Sequence, residues 1–189
     1  MSAVRYWFPK SYADFIAKLR VPFGFLLLVM FACLSRPTPL SMAIGLPVSC
    51  LGLLLRGWAA GHLAKNQSLA IGGPYAYIRN PLYAGTLVVA AGIVIACRDW
   101  PLAAIFAAVF LLVYLPVIEL EEQHLRTLFT EYSAYARRVH RLLPIHHWAG
   151  GDRRFSWRLY RKNEEHQAGL GFLVALVWLV VRCWLWPHH

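Results

Sequence analysis

Residues 72–85 read GGPYAYIRNPLYAG and join one of the few polar segments of this apolar chain to the start of a hydrophobic run. The Gly-Gly-Pro start interrupts a helix, whereas Pro81 suits the first turn of the next one. Several hydrogen-bonding side chains lie on either side of Pro81. They belong to Tyr75, Tyr77, Arg79, Asn80 and Tyr83. At membrane depth such groups are tolerated mainly where they are buried in protein or line a cavity. We therefore predict that this stretch forms part of a functional site.

The composition indicates a membrane protein. Hydrophobic residues make up 59% of the 189 residues, above the roughly 45–50% of soluble domains. Apolar runs long enough to cross a bilayer cover residues 21–34 (or 13–34), 41–63, 81–97, 100–118 and 169–186. Asp99 and Pro101 are typical of a helix cap and first turn, so the third and fourth runs should form a hairpin. The predicted fold is all-α: a single polytopic membrane domain with about five transmembrane helices.

The basic residues predict the orientation. The N-terminal 20 residues hold four of the 19 Lys and Arg residues, residues 64–80 hold two, and residues 121–166 hold nine. The opposite side holds Arg36 and Arg98, so the N-terminus and both polar segments should face the cytoplasm. This alternation with apolar runs argues against a nucleic-acid partner, although the formal net charge is +10. Without a cleavable signal peptide or organelle address, a bacterial inner membrane is expected.

Residues 119–139 predict a cytoplasmic amphipathic helix. Apolar side chains recur there at steps of three and four, and charged ones lie elsewhere. Glu121 and Glu122 fall near the apolar face, at its membrane end. Unpaired carboxylates there would be costly, so a cationic partner is expected, either Arg79 or a bound cation.

Residues 121–144 read EEQHLRTLFTEYSAYARRVHRLLP, and with residues 72–85 they resemble the paired motifs of integral-membrane methyltransferases. These are the isoprenylcysteine carboxyl methyltransferases and the phospholipid N-methyltransferases. They show a GPY…RHPxYxG stretch, a hydrophobic hairpin and then EExxL…F…Y…Y…P. The resemblance covers residues 60–144, with both motifs in the same order. It implies a membrane enzyme that binds S-adenosylmethionine without a Rossmann fold.

The resemblance also implies roles for matching residues. Arg79 would pair with the cofactor carboxylate or orient the methyl acceptor, and Glu121 would bind a ribose hydroxyl or the amino group of the cofactor. Tyr75 would pack against the cofactor. The other implied cofactor-binding residues are Gln67, Ser68, Leu69, Ala70, Asn80, Pro81 and Tyr83. Residues 64–144 would thus form the cofactor-binding core, between an interfacial anchor (1–20) and a basic segment with the last transmembrane helix (145–189).

These residue types suit methyl transfer. Tyrosine rings and a carboxylate lower the free-energy cost of holding a sulfonium cation in a dry site. The in-line displacement depends mainly on positioning and on exclusion of water. A carboxylate acceptor needs no base, whereas an amine must lose a proton, and Glu122 is the candidate base if burial raises its pKa. Val117 stands where isoprenylcysteine enzymes carry a substrate-binding arginine, which disfavours prenylcysteine as the acceptor.

Two other functions fit the same pattern. One is an NADPH-dependent membrane reductase of the sterol-reductase type, and the other is a non-catalytic membrane scaffold that binds lipid. The expected partners of a methyltransferase are membrane lipids and a lipophilic small-molecule acceptor. No metal is expected, because the cysteines form no CxxC pair and the histidines show no HExxH-like spacing.

Overall fold

The computed structural model describes residues 7–149 and 154–185, and these are helical with connecting turns. The elements in chain order are α1 (Lys10–Leu34), α2 (Pro39–Ala60), a 3₁₀ turn (Gly73–Ala76), α3 (Pro81–Cys97), α4 (Trp100–Val109), a π-helical turn (Phe110–Tyr114), α5 (Leu115–Leu128), α6 (Tyr132–Arg138), α7 (Trp157–Lys162) and α8 (His166–Leu185). The helices α4 and α5 and the π-helical turn between them form one continuous helix from Trp100 to Leu128.

The described helices confirm the predicted fold class, an all-α polytopic membrane protein. Four of them are long and apolar enough to cross a membrane: α1, α2, the continuous helix Trp100–Leu128, and α8. The third predicted span is α3, whose 17 residues rise only about 25 Å. Residues 1–6 of the predicted anchor and the end of the last predicted span lie outside the described residues.

Side-chain caps fix where the helices begin. Thr38 and Ser41 form a reciprocal capping box at the start of α2, and Pro39 between them takes the first helical position. The predicted cap at Asp99 is confirmed, because its carboxylate accepts a hydrogen bond from the Leu102 amide at 2.9 Å. Arg98 adopts a left-handed conformation (φ 55°) that ends α3. Two residues therefore suffice to join α3 to α4.

Glycines let α2 and α3 pack backbone against backbone. A Cβ added to Gly45 would lie 2.3 Å from the carbonyl oxygen of Gly92, and one added to Gly52 would lie 2.7 Å from that of Gly85. Because the residue numbers rise along α2 as they fall along α3, the pair is antiparallel. Ser49 donates a hydrogen bond to the Val89 carbonyl at 2.9 Å across this seam. Small residues at such an interface favour close helix association in a bilayer.

The predicted amphipathic helix over residues 119–139 is divided in the structure. Its first part is α5, continuous with the preceding membrane helix, and its second part is the separate helix α6. Phe129 is extended between them (φ −127°, ψ 114°). The break lets Tyr132, Tyr135 and Val139 turn inward as one buried apolar cluster, which a straight helix leaving the membrane would not allow.

The C-terminal segment packs on the end of α2. The Asn163 side-chain amide donates to the carbonyl oxygens of Ala60 and Leu63, both at 2.9 Å. Further along, Leu179 of α8 is buried against Phe31 of α1 and Leu102 of α4. The helix α8 is therefore attached to the bundle near both of its ends.

Candidate functional site

The two polar segments, far apart in sequence, lie side by side. The Arg79 amide donates to the His140 carbonyl at 3.0 Å, and the Asn80 amide donates to the Arg141 carbonyl at 3.1 Å. The Trp148 amide closes the far end by donating to the Ala76 carbonyl at 2.8 Å. These backbone bonds hold residues 76–80 against the segment that follows α6.

Gly73 shapes the turn that begins the first segment. Its φ of +58° is left-handed, and an added Cβ would lie 2.6 Å from Cδ2 of the His62 ring. The His62 ring is itself held through Nδ1, 2.9 Å from the Trp58 carbonyl oxygen. Both the conformation and the space therefore require glycine here.

Replacing Gly73 by Ala is expected to destabilise the protein by about 1–2 kcal/mol through the left-handed conformation alone, with a further loss from the His62 contact. Thermal unfolding in detergent would measure this. Gly57→Ala is the matched control, since a Cβ there meets Tyr160 at an ordinary 3.5 Å. An equal loss in both variants would contradict the requirement at Gly73.

Buried tyrosines connect the first segment to α6. The Tyr135 hydroxyl donates to the Tyr75 carbonyl at 2.6 Å, and both side chains are buried. Burial raises the pKa of the Tyr75 phenol above its ordinary value, and the Glu121 carboxylate adds to the shift. Burial likewise raises the pKa of Tyr135, with Tyr132 contributing. Both phenols are therefore neutral hydrogen-bond donors at physiological pH.

Glu122 is the buried centre of a charge network. Its carboxylate accepts hydrogen bonds from the side-chain amide of Asn80 at 2.8 Å and from Arg141 Nε and Nη2 at 3.2 and 2.9 Å. Nη1 of Arg79 lies 3.6 Å from the same carboxylate. The expected pairing of a glutamate with Arg79 is confirmed, but Arg141 is the closer partner. The glutamate thus joins the first segment to the chain that follows α6.

Glu121 occupies a different environment. Its Oε1 accepts a hydrogen bond from the Tyr83 hydroxyl at 3.0 Å, and it lines a cavity of about 690 Å³. That volume lies within the usual range for small-molecule sites, roughly 300–1,000 Å³.

Tyr114 also lines the cavity, with its ring 6.3 Å from that of Tyr83, and it ends the π-helical turn. Such turns often occur at functional sites.

Both polar segments contribute to the wall of this cavity. Of the predicted site residues, those lining it are Ser68, Leu69, Ala70, Tyr75, Arg79, Tyr83 and Glu121. Gln67 is exposed and does not line it. Asn80, Pro81 and Glu122 are buried and do not line it either. Asn80 and Glu122 therefore reach the cavity only through Arg79 and the backbone beside it.

Three buried polar atoms of the lining residues find no hydrogen-bond partner within the described part of the chain. They are Ser68 Oγ, Arg79 Nε and the Tyr132 hydroxyl. Buried groups of this kind are normally satisfied, and each unpaired one costs about 1–3 kcal/mol. The three atoms have almost no accessible surface, so a ligand in the cavity contacts them only after the lining side chains move.

Several charged and aromatic lining residues were not among the site residues predicted from the sequence. They are Arg20, Arg56, Lys65, His124, Tyr114, Tyr132 and Tyr135. The two tyrosines of α6 fall within the quoted motif, so the resemblance could have indicated them. The sequence indicates Arg20 and Lys65 only as members of the basic N-terminus and the basic loop. Arg56 is a cation within a predicted span, and such residues are usually functional.

Comparison with known proteins finds similarity to a methyltransferase family and to metal-resistance proteins. Residues 42–132 match the model of the phospholipid methyltransferase family. The cobalt-zinc-cadmium resistance protein CzcN of Cupriavidus metallidurans is 32% identical over 109 residues, which are 57% of this chain and 50% of that protein. The nickel-cobalt-cadmium resistance protein NccN of Alcaligenes xylosoxydans is 34% identical over 103 residues, 53% of this chain and 47% of that protein.

The chain spans about half the length of the curated relatives it matches. No solved structure matches it. The family match begins in α2 and ends at Tyr132, so it includes the glycine seam, the first polar segment and both glutamates. Over residues 42–132 this chain is therefore similar to the phospholipid methyltransferase family, which is consistent with the predicted resemblance to integral-membrane methyltransferases.

Proposed function

We propose that this protein is an S-adenosylmethionine-dependent membrane methyltransferase that acts on a small lipophilic or lipid-like acceptor. The observation that carries the proposal is the cavity between the two motif segments, whose lining includes Arg79, Glu121 and five tyrosines. When bound there, S-adenosylmethionine would supply an electrophilic methyl group.

The lining residues fit a molecule that is both polar and cationic. Glu121 provides a carboxylate, and Tyr75, Tyr83 and Tyr132 provide ring faces and hydroxyl groups. Together these lower the cost of a sulfonium in a site that excludes water. The Arg79 guanidinium belongs to the same lining and can bind a carboxylate or hydroxyl oxygen of the ligand.

The surroundings of Glu122 differ from those of a base exposed to substrate. Both of its oxygens accept hydrogen bonds, from Asn80 and Arg141, and its side chain is 3% exposed. This favours a positioning role, in which Glu122 holds the Arg79 guanidinium at the cavity wall. Proton removal by Glu122 stays a prediction, and it would be needed only for an amine acceptor.

The charge asymmetry of the sequence supports a cytoplasmic site and N-terminus, and the membrane we propose is a bacterial inner membrane. Under this proposal a water-soluble cofactor reaches the site from the cytoplasm, and a lipophilic acceptor reaches it from the bilayer.

The test is calorimetric titration of the purified protein with S-adenosylhomocysteine and, separately, with NADPH. We expect S-adenosylhomocysteine to bind and Glu121→Gln to weaken it about tenfold or more, the effect of losing one charged hydrogen bond of about 1.5–3 kcal/mol. Glu131→Gln is the control, because it makes the same change of charge at an exposed position outside the cavity.

Two results would contradict the proposal. Binding of NADPH in place of S-adenosylhomocysteine would favour a reductase, and binding of neither would favour a lipid-binding scaffold. Equal affinities of the Glu121 and Glu131 variants for S-adenosylhomocysteine would show that Glu121 does not contact the ligand.

A further inference from the structure

We propose that a groove between α2, α3 and α8 receives the hydrocarbon chain of the methyl acceptor, an amphiphile with an anionic end. This inference rests on the proposed methyltransferase function, and it adds where the acceptor binds and which chemical class it belongs to.

The groove is apolar apart from one end. It has a volume of about 330 Å³ and is lined by Leu53 of α2, Val89 and Ile93 of α3, and Phe172 and Ala175 of α8. All three helices are apolar, so in the bilayer this lining lies at the depth of the acyl chains. A hydrocarbon chain is the ligand that such a surface favours, at about 0.8 kcal/mol for each buried methylene group.

The polar end of the groove adjoins the candidate cofactor cavity. Arg56 and Thr86 line both the groove and the cavity, and Arg56 Nη1 donates a hydrogen bond to Thr86 Oγ1. A molecule whose chain lies in the groove would therefore place its head beside Arg56, at the edge of the cavity.

The last helix fixes the side chain at this junction. Glu165, which immediately precedes α8 and is 8% exposed, pairs with Arg56 Nε at 2.6 Å and with Nη2 at 3.0 Å. The helix α8 also supplies the outer wall of the groove, and it lies outside the family match over residues 42–132. The groove is thus formed in part by a segment of this chain that the family match does not include.

The charges of the cavity favour an anionic head group. Its lining includes the cations Arg20, Arg56, Lys65 and Arg79, but only one carboxylate, that of Glu121. Glu165 balances Arg56, and Arg79 shares Glu122 with Arg141. Arg20 and Lys65 leave a positive surplus that a carboxylate or phosphate would neutralise, because cavities lined by one sign of charge attract the opposite sign.

Two glycines of α8 provide a matched pair of variants. A Cβ added to Gly169 or Gly171 meets no atom within 4 Å, so a larger residue is tolerated at both positions. Gly171 lines the groove, whereas Gly169 lines neither the groove nor the cavity. Gly171→Leu should therefore fill the groove, and Gly169→Leu should leave it open at the same gain in helix propensity.

The experiment uses the full chain in phosphatidylcholine nanodiscs and palmitic acid that carries a diazirine in its chain. After irradiation, mass spectrometry locates the label, with unlabelled palmitate as competitor. We expect competable labelling of residues that line the groove, and an approximately tenfold loss of it in Gly171→Leu, which corresponds to about 1.4 kcal/mol. The Gly169→Leu protein should label as the unchanged protein does.

Equal labelling of the two variants would contradict binding of the hydrocarbon chain in the groove. Label spread over the outer faces of α1 and α8 without competition would contradict it as well. Titration with S-adenosylhomocysteine separates this outcome from failure of the proposed function. Both glycine variants should keep the affinity of the unchanged protein, because neither residue lines the cofactor cavity. Absence of that binding in the unchanged protein would count against methyl transfer. The labelling pattern alone decides whether the hydrocarbon chain binds in the groove.

Discussion

Replacing Glu122 by Ala is expected to destabilise the protein by about 3–5 kcal/mol, the cost of removing one partner from a buried ion network. Arg79 and Arg141 have side chains only 12% and 17% exposed, and they would be left facing each other without a counter-charge. The Asn80 side-chain amide would lose its closer acceptor and keep only the Arg141 carbonyl at 3.5 Å. Titration with sodium dodecyl sulfate, followed by circular dichroism, measures the change in free energy of unfolding.

Glu131→Ala is the control for this prediction, because Glu131 is exposed and surface substitutions usually change stability by no more than about 0.5 kcal/mol. Glu122→Gln should lose less stability than Glu122→Ala, since its amide oxygen can still accept from Asn80. A Glu122→Gln protein with unchanged stability and unchanged affinity for S-adenosylhomocysteine, but without methyl transfer, would instead support Glu122 as a base.

Replacing Gly92 by Ala is expected to destabilise the bundle by about 3 kcal/mol, at the upper end of typical overpacking costs. The added Cβ would lie 2.3 Å from Ser49 Oγ and 2.4 Å from the Gly45 carbonyl oxygen. The backbone cannot move aside without separating α2 from α3. Because Arg56 of α2 and Tyr83 of α3 both line the cavity, the affinity for S-adenosylhomocysteine should fall as well.

Gly24→Ala is the control for the glycine seam. A Cβ at Gly24 of α1 meets no atom within 4 Å, so this variant should be neutral or slightly more stable through its better helix propensity. Equal stability of the Gly92 and Gly24 variants, measured by the same titration, would contradict backbone contact between α2 and α3.

The sequence was sufficient to predict the helical architecture and the meeting of the two polar segments. Hydropathy marks the apolar helices, and Pro81 in the first turn of α3 and the cap at Asp99 mark where two of them begin. The association of residues 72–83 with Glu121 was also predictable, because the charge asymmetry assigns both segments to the same side of the membrane.

The detailed pairing was not predictable from spacing. Arg141 lies 19 residues beyond Glu122, and only the turn at Phe129 brings it back. Periodicity favours one helix across that point, because the apolar steps continue through it, but burial of Tyr132 and Tyr135 outweighs the local pattern. The contact of Glu165 with Arg56 spans 109 residues and depends on how α8 packs, which no local signal determines.

The division of roles between the glutamates follows the same logic. Adjacent residues on a helix point in directions about 100° apart, so Glu121 can line the cavity while Glu122 lies in the wall behind it. The sequence indicates that both carboxylates need partners, but it does not indicate which of them faces the ligand. In the structure Tyr83 contacts Glu121, whereas Asn80 contacts Glu122.

Hydrogen exchange with and without S-adenosylhomocysteine tests the central claim most directly, namely that the two polar segments together form one cofactor site. The account predicts slower amide exchange in residues 64–83 and in residues 121–135 at the same ligand concentration, with α1 and α8 unchanged. Protection of one segment without the other, or of neither, would contradict it.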